Sequence, residues 1–147
     1  MMTGKLFVFY SLSGNVRLIA EKMSERGYNT REIRLKKEMP KRFFFQIMRG
    51  GFEAGMHKKP ALLDFDASLE GYEEIVFGTP VWNGQIASPL NTALSLLDLE
   101  GKKVSFILSA GGGEAPKAVK WLNARYPDAE VKVIGTPASH PEELEKI

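Results

Sequence analysis

The chain has 147 residues, 44% of them hydrophobic and 26% charged, and a formal net charge of +2; this is the size and make-up of one globular domain with a sizeable core. It has no cysteine, which excludes disulfides, iron–sulfur ligation and thiol chemistry. The longest apolar run near the start, residues 6–10, is too short for a secretory leader or a membrane span, so a cytoplasmic protein with no membrane span is expected.

Residues 5–10 (KLFVFY) are β-branched and aromatic enough for a strand buried on both faces. Val16, Ile19, Ala20 and Met23 keep helical spacing and predict a helix over 16–26, stopped at Gly27. Residues 28–35 (YNTREIRL) alternate and suit an outer strand. Residues 36–63 are less regular. Pro40 breaks the chain, Phe43, Phe44, Phe45, Ile47 and Met48 follow, and Gly50–Gly51 closes the run, which gives one short helix inside a long excursion. Residues 31–59 hold nine Lys or Arg against three Glu. Such a basic band is either a solvated face or a means of attracting phosphates and acidic partners.

Residues 74–79 form a second buried strand. Residues 88–97 form a helix with Ser88 as N-cap and Pro89 at its first position. Residues 103–108 form a third buried strand, 114–125 a helix and 130–134 a last strand. Residues 141–147 give one or two terminal helical turns. Strands alternating with helices predict an α/β protein, with a parallel sheet, helices on both faces and right-handed crossovers. In such folds ligands bind beyond the carboxyl ends of the strands, so function is sought in the loops after the first, third and fourth strands.

The first of these loops offers the short polar side chains Ser11, Ser13 and Asn15, with Gly14 free to take backbone angles closed to other residues. A helix follows at once, and its unpaired N–H groups and positive dipole end suit a phosphate. There is no GxxxxGK[ST] lysine, so the donors are neutral and a nucleoside triphosphate with magnesium is not indicated. A plain helix-capping turn is the other reading. The second loop, residues 79–89 (TPVWNGQIASP), puts Trp82 and an Asn-Gly pair after a strand end. It is either a stacking surface for a planar ring or a Trp covering the core beside a turn. The third, residues 109–116 (SAGGGEAP), has three glycines that permit close backbone approach; it is not a GxGxxG dinucleotide fingerprint. All three loops are expected to converge on one edge of the sheet.

On these residues the chain resembles the flavodoxin family, whose first loop runs Ser/Thr-x-Thr/Ser-Gly-Asn-Thr; here it reads Ser11-Leu12-Ser13-Gly14-Asn15-Val16. The resemblance covers nearly the whole chain. It implies a doubly wound sheet of five parallel strands in the order 2-1-3-4-5, one domain over residues 1–147, and an insertion at about 36–63. It implies FMN as cofactor, its phosphate held by the first loop. Val16 stands where the family has a hydroxyl, which leaves only its backbone donor. Thr79, Pro80, Val81, Trp82, Asn83 and Gly84 match the loop that flanks the flavin ring. Ser109, Ala110, Gly111, Gly112 and Gly113 match the loop that closes over the ring's pyrimidine end, without the tyrosine that often covers the outer face.

Three functions follow. The first is electron transfer through bound FMN with a redox partner protein, a backbone carbonyl near Asn83–Gly84 turning toward the flavin N5. Carriers of this family are typically acidic, whereas this chain has a calculated pI near 8.8. The second is an NAD(P)H-dependent FMN or quinone reductase on the same scaffold, with Arg49, Lys58 or Lys59 attracting the nicotinamide cofactor's phosphates. The third is a non-catalytic interaction module, a homodimer among its forms, in which residues 43–48 stay exposed; folding back onto their own domain is the expected fate of these side chains. His57 and His140 lack acidic or Cys partners at metal spacing, Asp64 and Asp66 lack a partner motif, and no nucleic-acid-binding motif accompanies the basic band.

Overall fold

The computed structural model describes residues 4–147. Strand β1 (Gly4–Phe9) lies inside the sheet, and its successive side chains point to opposite faces. Leu6 and Val8 enter one core with Tyr10; Phe7 and Phe9 enter the other. Both faces are covered, so the run has no polar side. Helix α1 (Asn15–Glu25) buries Val16, Ile19, Ala20 and Met23 on the Phe7–Phe9 face. Strand β2 (Asn29–Glu32) pairs with β1 at the sheet edge and is shorter than the 28–35 alternation suggests. Beyond it Ile33 and Leu35 stay buried, and Leu35 bridges Leu62. The alternation past Glu32 reflects burial beneath the excursion.

Helix α2 (Phe43–Gly55) fills that excursion and runs straight through Gly50–Gly51, where the sequence predicts its end. The reason is contact. A Cβ on Gly50 would lie 3.2 Å from the Trp82 ring, and one on Gly55 2.9 Å from Asn83 Nδ2. Each glycine costs about 1 kcal/mol of helix propensity, but the bare backbone lets the helix lie against residues 82–83. Arg49 fastens α2 to the preceding loop, donating to Glu53 Oε2 (3.1 Å) and to the carbonyls of Lys37 (3.2 Å) and Glu38 (2.9 Å).

Strand β3 (Tyr72–Trp82) outruns the predicted 74–79 because Val81 and Trp82 pair with the short antiparallel β4 (Gln85–Ile86). Helix α3 (Ser88–Leu96) is capped by Ala87 rather than Ser88, whose hydroxyl donates to Glu53 Oε1 at 2.9 Å instead. Strand β5 (Lys103–Ser109), helix α4 (Pro116–Arg125), strand β6 (Glu130–Ile134) and a terminal 3₁₀ helix (Pro141–Lys146) complete the chain. The five long strands are parallel, in the order β2-β1-β3-β5-β6. This departs from the expected 2-1-3-4-5 numbering because β4, two residues hooked onto β3, enters the count. Buried side chains of α3 and α4 join the Leu6–Val8 core, and Leu144 and Ile147 join that of α1, so the sheet is covered on both faces.

Glu143 ties the 3₁₀ helix to the end of β6. Its carboxylate accepts from Lys146 Nζ (2.7 Å) and from the Gly135 amide (2.5 Å), and these bonds hold its pKa below the usual carboxylate range. A carboxyl group with a lowered folded pKa adds stability above its unfolded pKa and loses it as pH falls through the folded one. Glu143→Gln is therefore expected to melt below the natural chain at neutral pH. The two melting curves should converge in acid, which thermal melts across a pH series will show.

Candidate functional site

The carboxyl ends of β1, β3 and β5 are adjacent in the sheet; two contacts join the second loop to the end of β1 and to the start of α4, and a third ties the first loop to the segment after β6. Tyr10 meets Trp82 edge-on with ring centroids 5.6 Å apart. A Cβ on Gly84 would sit 3.5 Å from Lys117 Cδ, in the first turn of α4. The side chain of Asn15 reaches across to residue 138, where its Oδ1 accepts from the Ala138 amide at 2.9 Å.

In the first loop Gly14 has φ +93°, a left-handed angle that swings the chain into α1. Among the described residues no acceptor meets the amides of Ser13, Gly14, Asn15 or Val16. These are the donors a helix start leaves unpaired. The two serines are oriented. Ser11 Oγ accepts from the Arg17 amide (3.2 Å) and Ser13 Oγ from Asn15 Nδ2 (3.2 Å), so each hydroxyl keeps its own proton to donate. Arg17, the nearest cation in sequence, is paired with Glu32. The loop is a cluster of neutral donors at a positive helix end, able to hold a dianion. Leu12 is partly exposed beside it.

The second loop is a β-hairpin. Asn83 (φ +51°) and Gly84 (φ +76°) form its two-residue turn, with the positive angles of a type I′ turn. Trp82 is half-buried, with Gly50 of α2 against its ring. Thr79 is fully buried and its hydroxyl is spent inside the protein, donating to the Pro80 carbonyl (2.8 Å) and accepting from the Ala87 amide (3.1 Å). Pro80 and Val81 are half-exposed on the strand. Tyr10 is buried beneath, and desolvation pushes its hydroxyl up to about 12, so it stays neutral at physiological pH.

In the third loop Ser109 is buried and donates to the Gly135 carbonyl (2.8 Å), and the buried Ala110 donates its amide to Ile134 (2.9 Å). Gly111, Gly112 and Gly113 lie outside this frame, and a Cβ on any of them would meet nothing within 4 Å. The structure thus separates residues that are exposed or half-exposed (11–15, 83–84 and 111–113) from the buried Val16 side chain and from Thr79, Ser109 and Ala110, whose polar groups hold the loops in place. Arg49 is likewise committed to Glu53 and the Lys37–Glu38 backbone, so it is not free for a second cofactor's phosphates. The sequence reading missed α2 as the support of the hairpin; the Gly50-Gly51-x-x-x-Gly55 spacing, small residues on one helical face, is the signal for it.

The profile of the NADPH-dependent FMN reductase family matches residues 13–120, from the serine of the first loop into α4. The chain belongs to that family. The fold of this reductase-family chain is flavodoxin-like and its cofactor is FMN. The structure is similar to that of a candidate flavoprotein from Bacteroides uniformis (23% identity, 92% of each chain covered, TM-score 0.78). It is similar also to a flavoprotein from Lactobacillus acidophilus in complex with FMN (19% identity, 95% of this chain and 97% of that one, TM-score 0.72). An azoreductase from Bacillus anthracis shares 21% identity over 99% of this chain and 92% of its own, with a TM-score of 0.50. No curated protein is similar to the chain in sequence. Among the described residues no helix is long and apolar enough to cross a membrane.

Proposed function

We propose that the protein is an NAD(P)H-dependent FMN reductase acting on a small acceptor such as a quinone or a flavin, with the FMN phosphate seated on the first loop. The observation that carries this reading is the preset donor cluster: four free amides at a helix start, beside two serine hydroxyls whose acceptor sides are already occupied. Bonds from such donors to a charged group are worth about 1.5–3 kcal/mol each, and no cation is needed.

In this reading the donors of residues 11–16 hold the phosphate, Val16 through its amide alone. Trp82 and the Asn83–Gly84 turn flank the ring, and the backbone of residues 111–113 takes its far end. FMN held there would supply the redox chemistry, as hydride acceptor toward the nicotinamide and electron donor toward the small acceptor. The chain's part is to bind, orient and leave access. The third loop is glycine at 111–113 and has no tyrosine to stack on the outer face of the ring, which in this reading leaves room for a nicotinamide. No side-chain acid or base is required.

The test is to mix FMN-loaded protein with NADPH without oxygen and follow the flavin's visible absorbance. The reading predicts bleaching, reversed when a quinone is added. Flavin that stays oxidised with NADPH and NADH, yet is reduced by a one-electron donor, would make the protein a carrier instead.

A further inference from the structure

Helix α2 turns one face to the domain and leaves the other unpartnered. Phe44, Phe45, Ile47, Met48, Phe52 and Met56, the last at the helix C-cap, are 49–66% exposed; the side chain of Phe43 lies outside what the structure describes. Phe44, Met48, Phe52 and Met56 are four residues apart and form one ridge along the helix. The six side chains present on the order of 700 Å² of apolar surface, above the ~300–600 Å² that is the largest patch on a typical monomer. This reverses the expectation that the segment folds back on itself.

The ridge has cations at both ends. Lys41 and Arg42 precede α2, Lys58 and Lys59 follow it, and all four are exposed with no acidic partner among the described residues. Lys58 Nζ lies 5.8 Å from the Phe52 ring centre, so charge and apolar surface belong to one face. We infer that this face docks on an anionic phospholipid bilayer, the ridge entering the headgroup boundary and the flanking Lys and Arg side chains meeting lipid phosphates.

Two arguments favour lipid over protein. A protein interface of this area carries on the order of four to seven hydrogen bonds, and the six exposed apolar side chains offer none. A second copy packed antiparallel on the ridge would set Lys41 and Arg42 against the other copy's Lys58 and Lys59, like charge on like charge. A bilayer interface needs no matching groove for a convex helix and supplies negative charge at both ends. The inference does not depend on the flavin reading, although α2, packed on residues 82–83, would bring the candidate site close to the membrane surface.

The experiment is co-sedimentation of the full chain with vesicles of phosphatidylcholine alone and of equimolar phosphatidylcholine and phosphatidylglycerol. Binding to the anionic vesicles is expected. It should weaken by roughly 30-fold or more in Lys58→Glu/Lys59→Glu and be lost in Phe52→Asp, with melting temperatures unchanged because all three positions are exposed. Equal binding to both vesicles, no binding to either, or Phe52→Asp binding as the natural chain does would overturn it. So would a doubled mass in solution that Phe52→Asp abolishes while vesicles stay unbound, which would give the ridge to a second copy.

Discussion

Ser13→Glu will bind FMN roughly 100-fold or more weakly than the natural chain while melting at the same temperature. Ser13 is exposed, and its hydroxyl oxygen already accepts from Asn15 Nδ2, so its proton is directed away from that bond. The substitution removes a donor to the phosphate, about 1.5–3 kcal/mol, and places a carboxylate beside it. Nothing in the core changes. Fluorescence titration of the flavin checks the first half and a thermal melt the second. Unchanged affinity would move the phosphate away from the start of α1.

Gly78→Ala will destabilise the fold by about 3 kcal/mol, a shift of roughly 6–12 °C in melting temperature for a chain of this size. Gly78 is buried in β3 opposite Phe9 of β1 and Ile107 of β5. A Cβ there would fall 2.3 Å from Phe7 Cζ and 2.9 Å from Val16 Cγ1. The phenyl ring is fully buried and Val16 opens α1, so neither can yield without disturbing the core or the first loop. FMN affinity is therefore expected to fall together with the denaturation midpoint. An unchanged midpoint would mean that the strand can move to admit the methyl group.

Strands β1, β5 and β6 announce themselves, because a strand covered on both faces, or leaning on a core, has apolar residues at fixed places. The helices after β1 and β5 follow from spacing and from their stops. Local signals fail where a distant contact overrides them. Gly50 and Gly51 read as a helix end, yet the helix continues because Trp82 and Asn83 need a helix without side chains beside them. Asn83–Gly84 reads as a turn within a loop, and the structure shows it as the turn of a hairpin whose second strand, only two residues long, extends β3. The exposed ridge of α2 is invisible to composition, which cannot tell an apolar face that packs from one that does not.

The loops divide in the same way. Ser11, Ser13, Gly14 and Asn15 stand out as a polar cluster before a helix, and the structure puts them at the carboxyl end of β1, next to the strand that carries the hairpin. Their orientation is another matter: Asn15 is held by an amide 123 residues away, and no local pattern encodes that. Thr79 and Ser109, candidates by position, turn out to hold strand ends together through buried hydroxyls.

The most direct measurement is a paired titration of flavin-free protein with FMN and with riboflavin, which differs from FMN by the missing phosphate, followed through flavin and tryptophan fluorescence. One-to-one saturable quenching by FMN is expected, with riboflavin binding weaker by roughly 100-fold or more through the loss of several charge-assisted bonds. Equal affinity for the two flavins, or no saturable binding of FMN, would contradict it.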